Sequence, residues 1–296
     1  MKIAGFTIIR NAILNDYPVM ESIQSILPAV DEMVVLVGKS DDETLELIRS
    51  LKDPKIRVYE SEWDLTRRKG GEVLALETDK ALALVSHDAD WAFYIQADEV
   101  MHEKYISVVR ESCEKYLDDP AVEGLLFDYL HFYGTYDYVG DSRTWYRREI
   151  RIIRKKLQPA DGPISAFRDA QGFRKQGEKL NVKKSGATIY HYGWVKSPTR
   201  MKAKMKNVAR FWQDDDDWQK FLKTEDVFDY SDFDSLALFQ DSHPDVMKER
   251  IARQDWHIEI DLSRKKFNPA DRLLYWIEKK TGIRLFEFRN YRLIPD

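Results

Sequence analysis

A mostly parallel β-sheet with helices packed on both faces, an α/β architecture, is what this 296-residue sequence predicts. Three observations point to it. Strand-like apolar runs alternate with helix-like segments through the first half, at the spacing of βαβ units. The earliest runs are apolar almost throughout, as expected of strands covered on both faces. The composition, 43% hydrophobic and 12% aromatic, supplies a sizeable core and excludes a disordered chain.

Taken in order, Ile3 to Ile9 reads as the first strand. Pro18 suits a first helical turn, and Val19, Ile23, Ile26 and Leu27 follow at helical spacing. Met33 to Val37 is a second buried strand, and Ser40, Asp41 and Asp42 offer capping oxygens to a helix carrying Leu45, Ile48 and Leu51. Ile56 to Tyr59 gives a third strand, followed by a longer helix with Leu74, Ala81, Leu82 and Val85. Trp91 to Ile95 is a fourth strand, running directly into Gln96-Ala97-Asp98-Glu99. A helix with Ile106, Val109 and Cys113 precedes a strand near Val122 to Phe132. Beyond it, Glu149 to Arg154 alternates like a half-exposed strand, and Gly162 to Gly177 reads as a loop. Thr188 to Tyr192 is a short strand ending at His191, and a helix follows from Thr199. The acidic, aromatic stretch 213–257 looks like an appended helical layer.

In parallel sheets of this kind ligands bind beyond the carboxyl ends of the strands. Three loops leave those ends, at Arg10-Asn11, Gly38 to Asp42 and Gln96 to Glu99, and should converge on one site. No G-x-G-x-x-G follows the first strand and no G-x-x-x-x-G-K-[ST] occurs, which argues against a dinucleotide fold and a P-loop ATPase. The single Cys113 excludes an intramolecular disulfide and a multi-cysteine zinc site. With no clear signal-peptide cleavage site and no stretch of 18 apolar residues, a soluble, cytoplasmic protein is expected.

The net charge of −4 conceals a concentration. Residues 142–212 carry 19 basic and 4 acidic side chains, whereas residues 1–141 carry 14 and 28. Three uses of this basic block compete: holding a diphosphate with an anionic acceptor or membrane surface, binding nucleic acid, or offsetting the acidic first half within one fold. No nucleic-acid motif is present, and Arg174, Lys175, Lys183 and Lys184 are the candidates for phosphate contact.

The sharpest chemical feature is the strand ending in YIQADEV. A carboxylate at the mouth of a parallel sheet can hold a hard divalent cation, and such an ion can bridge diphosphate oxygens. The competing reading is that Asp98 and Glu99 cap the next helix. His191, in IYHYGW, is either a half-buried ring among aromatics or a metal ligand; with a carboxylate and phosphate oxygens it suits Mn²⁺ somewhat better than Mg²⁺. Arg10-Asn11 reads equally as a nucleotide contact or a polar turn, and Lys69-Gly70-Gly71 as a phosphate-approaching turn or, preferably, a flexible helix entry.

The series FTIIRN, VDEMVVLVGKSDDET, WAFYIQADE and then HYGWVKSP with M-K-x-K resembles the family 2 glycosyltransferases of the GT-A fold, over about residues 1–210. The resemblance implies a GT-A-type fold, a UDP- or GDP-linked sugar donor, a divalent metal (Mn²⁺ or Mg²⁺) and inverting transfer to a carbohydrate or lipid-linked acceptor, as in polysaccharide or glycolipid synthesis. It divides the chain into 1–133 for the sugar nucleotide, 134–212 completing the acceptor and metal sites, and a helical C-terminal extension over 213–296. It assigns Asp98 and His191 to the metal, and Arg10, Asn11, Lys69, Gln96, Ala97 and Arg174 to the donor. Two positions depart from the family pattern: the first acid of D-x-D is Gln96, and the base-contacting acids align with Val37 and Gly38, which shifts that role to Asp41 or Asp42. Inverting transfer needs one general base; Asp169 in FRDAQGFR matches the family position best and Asp141 is second. The alternatives are a non-catalytic binder of nucleic acid or another anionic polymer, and an inactive relative that kept the fold. Finally, Pro269 to Leu285 sets apolar side chains beside Arg272, Lys279, Lys280 and Arg284. A basic amphipathic helix can lie on an anionic membrane, here the inner face, although packing on its own domain is the preferred reading.

Overall fold

The computed structural model describes residues 1–67, 69–156, 162–209, 211 and 226–295. Strands β1 (Ile3–Ile9), β2 (Glu32–Gly38), β3 (Ile56–Ser61) and β4 (Trp91–Tyr94) alternate with helices α1 (Val19–Ile26), α2 (Thr44–Arg49) and α3 (Glu72–Leu84). Next come β5 (Glu99–Met101), α4 (Ile106–Lys115), β6 (Gly124–Gly134), β7 (Tyr138–Gly140) and β8 (Arg148–Arg154). A small ribbon of β9 (Ile164–Phe167), β10 (Gly172–Lys175) and β11 (Glu178–Lys179) leads into β12 (Asn181–Val195) and α5 (Pro198–Ala209). The described C-terminal part contains β13 (Leu236–Leu238), α6 (Lys248–Ala252), α7 (Pro269–Thr281) and β14 (Arg292–Leu293).

The sheet runs β3-β2-β1-β4-β8-β6-β12. Pairings β3–β2, β2–β1, β1–β4 and β6–β12 are parallel, and β8 alone runs against its neighbours in this series. The expected α/β class, a mostly parallel sheet with helices on both faces, is thus the one observed. Alternate residues of β1 explain why. Ile3 and Ile9 pack with α1 and α4 in one apolar layer, whereas Ala4, Phe6 and Ile8 pack with α3 in the other. Each fully buried aliphatic or aromatic side chain in these layers stabilises the fold by about 1.5–3 kcal/mol. The entry to α3 turns on Gly70 and Gly71, both in the left-handed region (φ 65° and 77°) that glycine adopts without strain.

Four segments differ from the sequence expectation. β8 is central and buried on both faces, not half exposed, because its polar Arg151 is fully buried against a carboxylate. The supposed loop 162–177 contains the antiparallel pair β9–β10. β12 extends over fifteen residues, so His191 lies inside a strand rather than closing one. The expected helical extension is mixed among its described residues: β13 pairs with β7, and β14 pairs with β12. No described helix is long and apolar enough to cross a membrane.

Candidate functional site

Three strands bring the chemistry together. β5 pairs antiparallel with β12, setting His191 opposite Glu99, and the Tyr192 amide donates to the Asp98 carbonyl at 2.8 Å. β6 pairs with β12 on its other side, setting His191 beside His131. The loop after β4 is fixed by Glu99. Its fully buried carboxylate accepts two bonds from Arg151 (2.9 and 2.7 Å), one from the Tyr129 hydroxyl (2.7 Å) and one from the Gln96 amide (3.1 Å). Neither Glu99 nor Asp98 caps α4, which starts only at Ile106. With its carboxylate saturated inside the protein, Glu99 holds the loop while Asp98 faces outward.

Asp98 faces a cavity of about 910 Å³ that is also lined by Arg10, Gln96, Ala97, Asp169, His191 and Lys204. Asp98 Oδ2 lies 3.7 Å from His191 Nε2 and 3.3 Å from Lys204 Nζ. Burial pushes its carboxyl up, but Lys204 and then His191 outweigh that and hold it far below the ordinary carboxylate range.

The His131–His191 pair sets a tautomer. His131 Nε2 lies 2.8 Å from the Tyr146 carbonyl, which can only accept, so Nε2 carries the proton. Burial, then the His191 charge, pushes the His131 pKa down to about 3, so its ring is neutral and Nδ1 is an acceptor. His191 Nδ1, 3.1 Å away, donates into it, which turns Nε2 toward Asp98. A carboxylate oxygen and a ring nitrogen 3.7 Å apart fit a divalent cation, which the imidazole would bind through Nε2 in its neutral form. Among the described residues no cluster of three or more His, Cys, Asp or Glu side chains could hold a metal, so further ligands would have to come from substrate and water.

No protein-family model matches the chain, and no curated protein matches it. Solved structures do. Staphylococcus aureus TarS is similar at 14% identity and TM-score 0.39, over 75% of this chain and 42% of that one. Glucosyl-3-phosphoglycerate synthase from Mycobacterium tuberculosis, with Mn²⁺, uridine diphosphate and glucosyl-3-phosphoglycerate, is similar at 18% identity and TM-score 0.30, over 44% of each chain. A 4-diphosphocytidyl-2C-methyl-D-erythritol synthase from Anaerococcus prevotii follows at 12% identity and TM-score 0.34, over 53% of this chain and 72% of that one. The chain thus spans about two-fifths of the TarS length. Likeness at this level equates no residue with another, so the roles below rest on this chain's own geometry.

Of the three expected loops, the first two bond to each other, and of these only Arg10 reaches the large cavity beside Gln96, Ala97 and Asp98. Asn11, itself left-handed at φ 54°, exchanges bonds with Asp41 (2.9 and 2.8 Å), and Arg10 bonds the Lys39 carbonyl (2.7 Å) and Asp41 (3.2 Å). Asn11 and Asp41, expected at the donor, line a small neighbouring pocket and not the large cavity, and Asp42 lines neither: it accepts from the Thr44 amide and hydroxyl and the Leu14 amide and so starts α2. The side chain of Lys69 lies outside the described residues.

The two candidate bases separate cleanly. Asp169 lines the cavity, and burial raises its carboxyl, against backbone hydrogen bonds and the charges of Arg168 and Arg151. Asp141 instead binds Lys279, Lys265 and the Tyr275 hydroxyl, which outweigh burial and hold its carboxyl low. It anchors α7 and does not line the cavity.

The basic block is also redirected. Arg174 donates to the Asn290 and Phe173 carbonyls and stacks on Phe167, turned away from the cavity. Lys175 pairs with Glu123, Lys183 with the Pro295 carbonyl, Arg148 with Asp128 and Arg154 with four carbonyls. Most of the block therefore neutralises the acidic first half and ties down the C-terminal segment. Lys204 is the member that reaches Asp98.

Sequence reasoning missed Lys204, His131 and Gly193 as site residues. Lys204 stood in the M-K-x-K segment, one helical turn from Met201, which also lines the cavity. His131 left a weaker signal, its even spacing from Tyr129 and Tyr133 along one face of β6.

Proposed function

We propose that this protein is an inverting glycosyltransferase of the GT-A type, moving a sugar from a nucleotide-diphosphate donor to a hydroxyl acceptor in polysaccharide or glycolipid synthesis. The observation that carries this reading is the placement of Asp98, His191 and Lys204 in one cavity with Asp169. The first group suits a departing diphosphate; Asp169 suits an acceptor hydroxyl. Asp98 and His191 would hold the divalent cation, which supplies Lewis-acid stabilisation of the leaving diphosphate when bound. Lys204 adds a fixed positive charge at the same place. Arg10, Gln96 and Ala97 line the donor side. Asp169, its proton affinity raised by burial, takes the acceptor proton as the hydroxyl attacks. Trp145 and Trp194 on the cavity wall offer flat faces for a carbohydrate ring. In this reading residues 1–133 bind the donor and 134–212 complete the metal and acceptor sites.

The test is nucleoside diphosphate release from a panel of UDP- and GDP-linked sugars, with and without Mn²⁺. Asp98→Asn should lower metal-dependent turnover by about a hundredfold or more while the protein keeps its cooperative melt. Full turnover in that variant, or in excess chelator, overturns the metal assignment.

A further inference from the structure

The C-terminal segment from α7 onward sorts its side chains by chemistry. All three acids among its described residues are engaged by protein groups. Asp271 bonds Asn268, Glu278 pairs with Arg143 and Arg284, and Glu287 pairs with Arg147 and Arg289. The opposite side carries Leu273 and Trp276, one helical turn apart and each 58% exposed, with the exposed cations Arg272 and Lys280 on the same stripe. Gly282 (φ 71°) ends the helix, and the chain then presents Ile283, Phe286 and Phe288 to solvent.

Phe286 is the telling residue. It is 90% exposed, and its backbone sits in the left-handed region (φ 56°), where a bulky side chain is an outlier. Neither the strain nor the exposure is repaid by packing inside the protein. A surface of Trp, Phe and Leu interleaved with Arg and Lys, with its carboxylates engaged by protein partners, matches one environment: the boundary of an anionic lipid bilayer.

We infer that residues 272–288 form a membrane-docking face, with Leu273, Trp276, Phe286 and Phe288 entering the headgroup boundary and Arg272 and Lys280 meeting anionic lipid. The sequence favoured packing of this helix on its own domain, and its Glu278 side does pack there, while Leu273 and Trp276 stay exposed.

Co-sedimentation of the full chain with vesicles tests this, comparing phosphatidylcholine alone with a phosphatidylcholine–phosphatidylglycerol mixture. The protein should pellet with the mixture, more weakly as salt rises, and not with phosphatidylcholine alone. Arg272→Gln with Lys280→Gln should weaken partitioning about twenty-five-fold, at about fivefold per cation. Phe286→Ser with Phe288→Ser should abolish it with the melting temperature nearly unchanged, since the two side chains are 90% and 81% exposed and Phe288 has only Lys179 over its ring. Equal pelleting with both vesicle types, or retention in the serine variant, overturns the proposal. So does a dimer in size-exclusion chromatography that the serine variant dissolves while no vesicle binding is seen, which would make the face a self-association surface.

Discussion

Gly193 has only hydrogen where other residues carry Cβ, and a Cβ there would lie 2.7 Å from both Asp98 Oδ2 and His191 Nε2. Contacts that short are not tolerated, so the carboxylate and the ring would have to separate. Gly193→Ala should therefore weaken Mn²⁺ affinity by about 10–100-fold, as other disturbances of ligand orientation do. Titration calorimetry reads this directly, without a substrate. The same variant should retain its fold, because the clash is with two side-chain ends rather than with backbone. An unchanged Mn²⁺ affinity would mean that Asp98 and His191 do not share an ion.

At the scale of elements, the two candidate acids belong to different devices. Asp141 joins β7 to α7 and Asp169 lies in the turn between β9 and β10. Asp141→Asn should cost about 1–3 kcal/mol and speed amide exchange across α7. Asp169→Asn should leave that exchange unchanged and lower turnover by about 10²–10⁴-fold. The opposite pattern would exchange their roles. Sequence spacing could not separate them, because both acids lie in polar stretches after β6 and only the position of α7 shows that Asp141 is occupied. By contrast, β1 to β4 and their helices were legible, since buried parallel strands are apolar throughout and helices follow at regular spacing. β8 was misread because Arg151 imitates a solvent-facing position; its partner Glu99 lies 52 residues away, beyond any local pattern. Asp98 and His191 were legible as candidates. The His131 contact was not, as it depends on the register between β6 and β12.

For the molecule as a whole, one buried acid sets a pH dependence. Burial raises the Glu149 carboxyl to about 7, with Asn290 bonding it at 2.8 Å. The folded state thus holds a proton that the unfolded chain, near the ordinary 4.5, has already released. Stability from this group is complete below 4.5 and is lost as pH rises to about 7, by up to about 3 kcal/mol. Urea melts should show Glu149→Gln removing that decline; a variant with the parental slope would place its origin elsewhere. A second property follows from residues 143–147. From outside, Arg143 and Arg147 are gripped by Glu278 and Glu287, and Arg284 holds the Trp145 carbonyl. From inside, Trp145 and Tyr146 form cavity wall. The five residues thus join the C-terminal segment to the cavity wall. If the proposed sugar site is right, a ligand that displaces the arginines would shift that wall, and by reciprocity an occupied site would change the grip on the C-terminal segment.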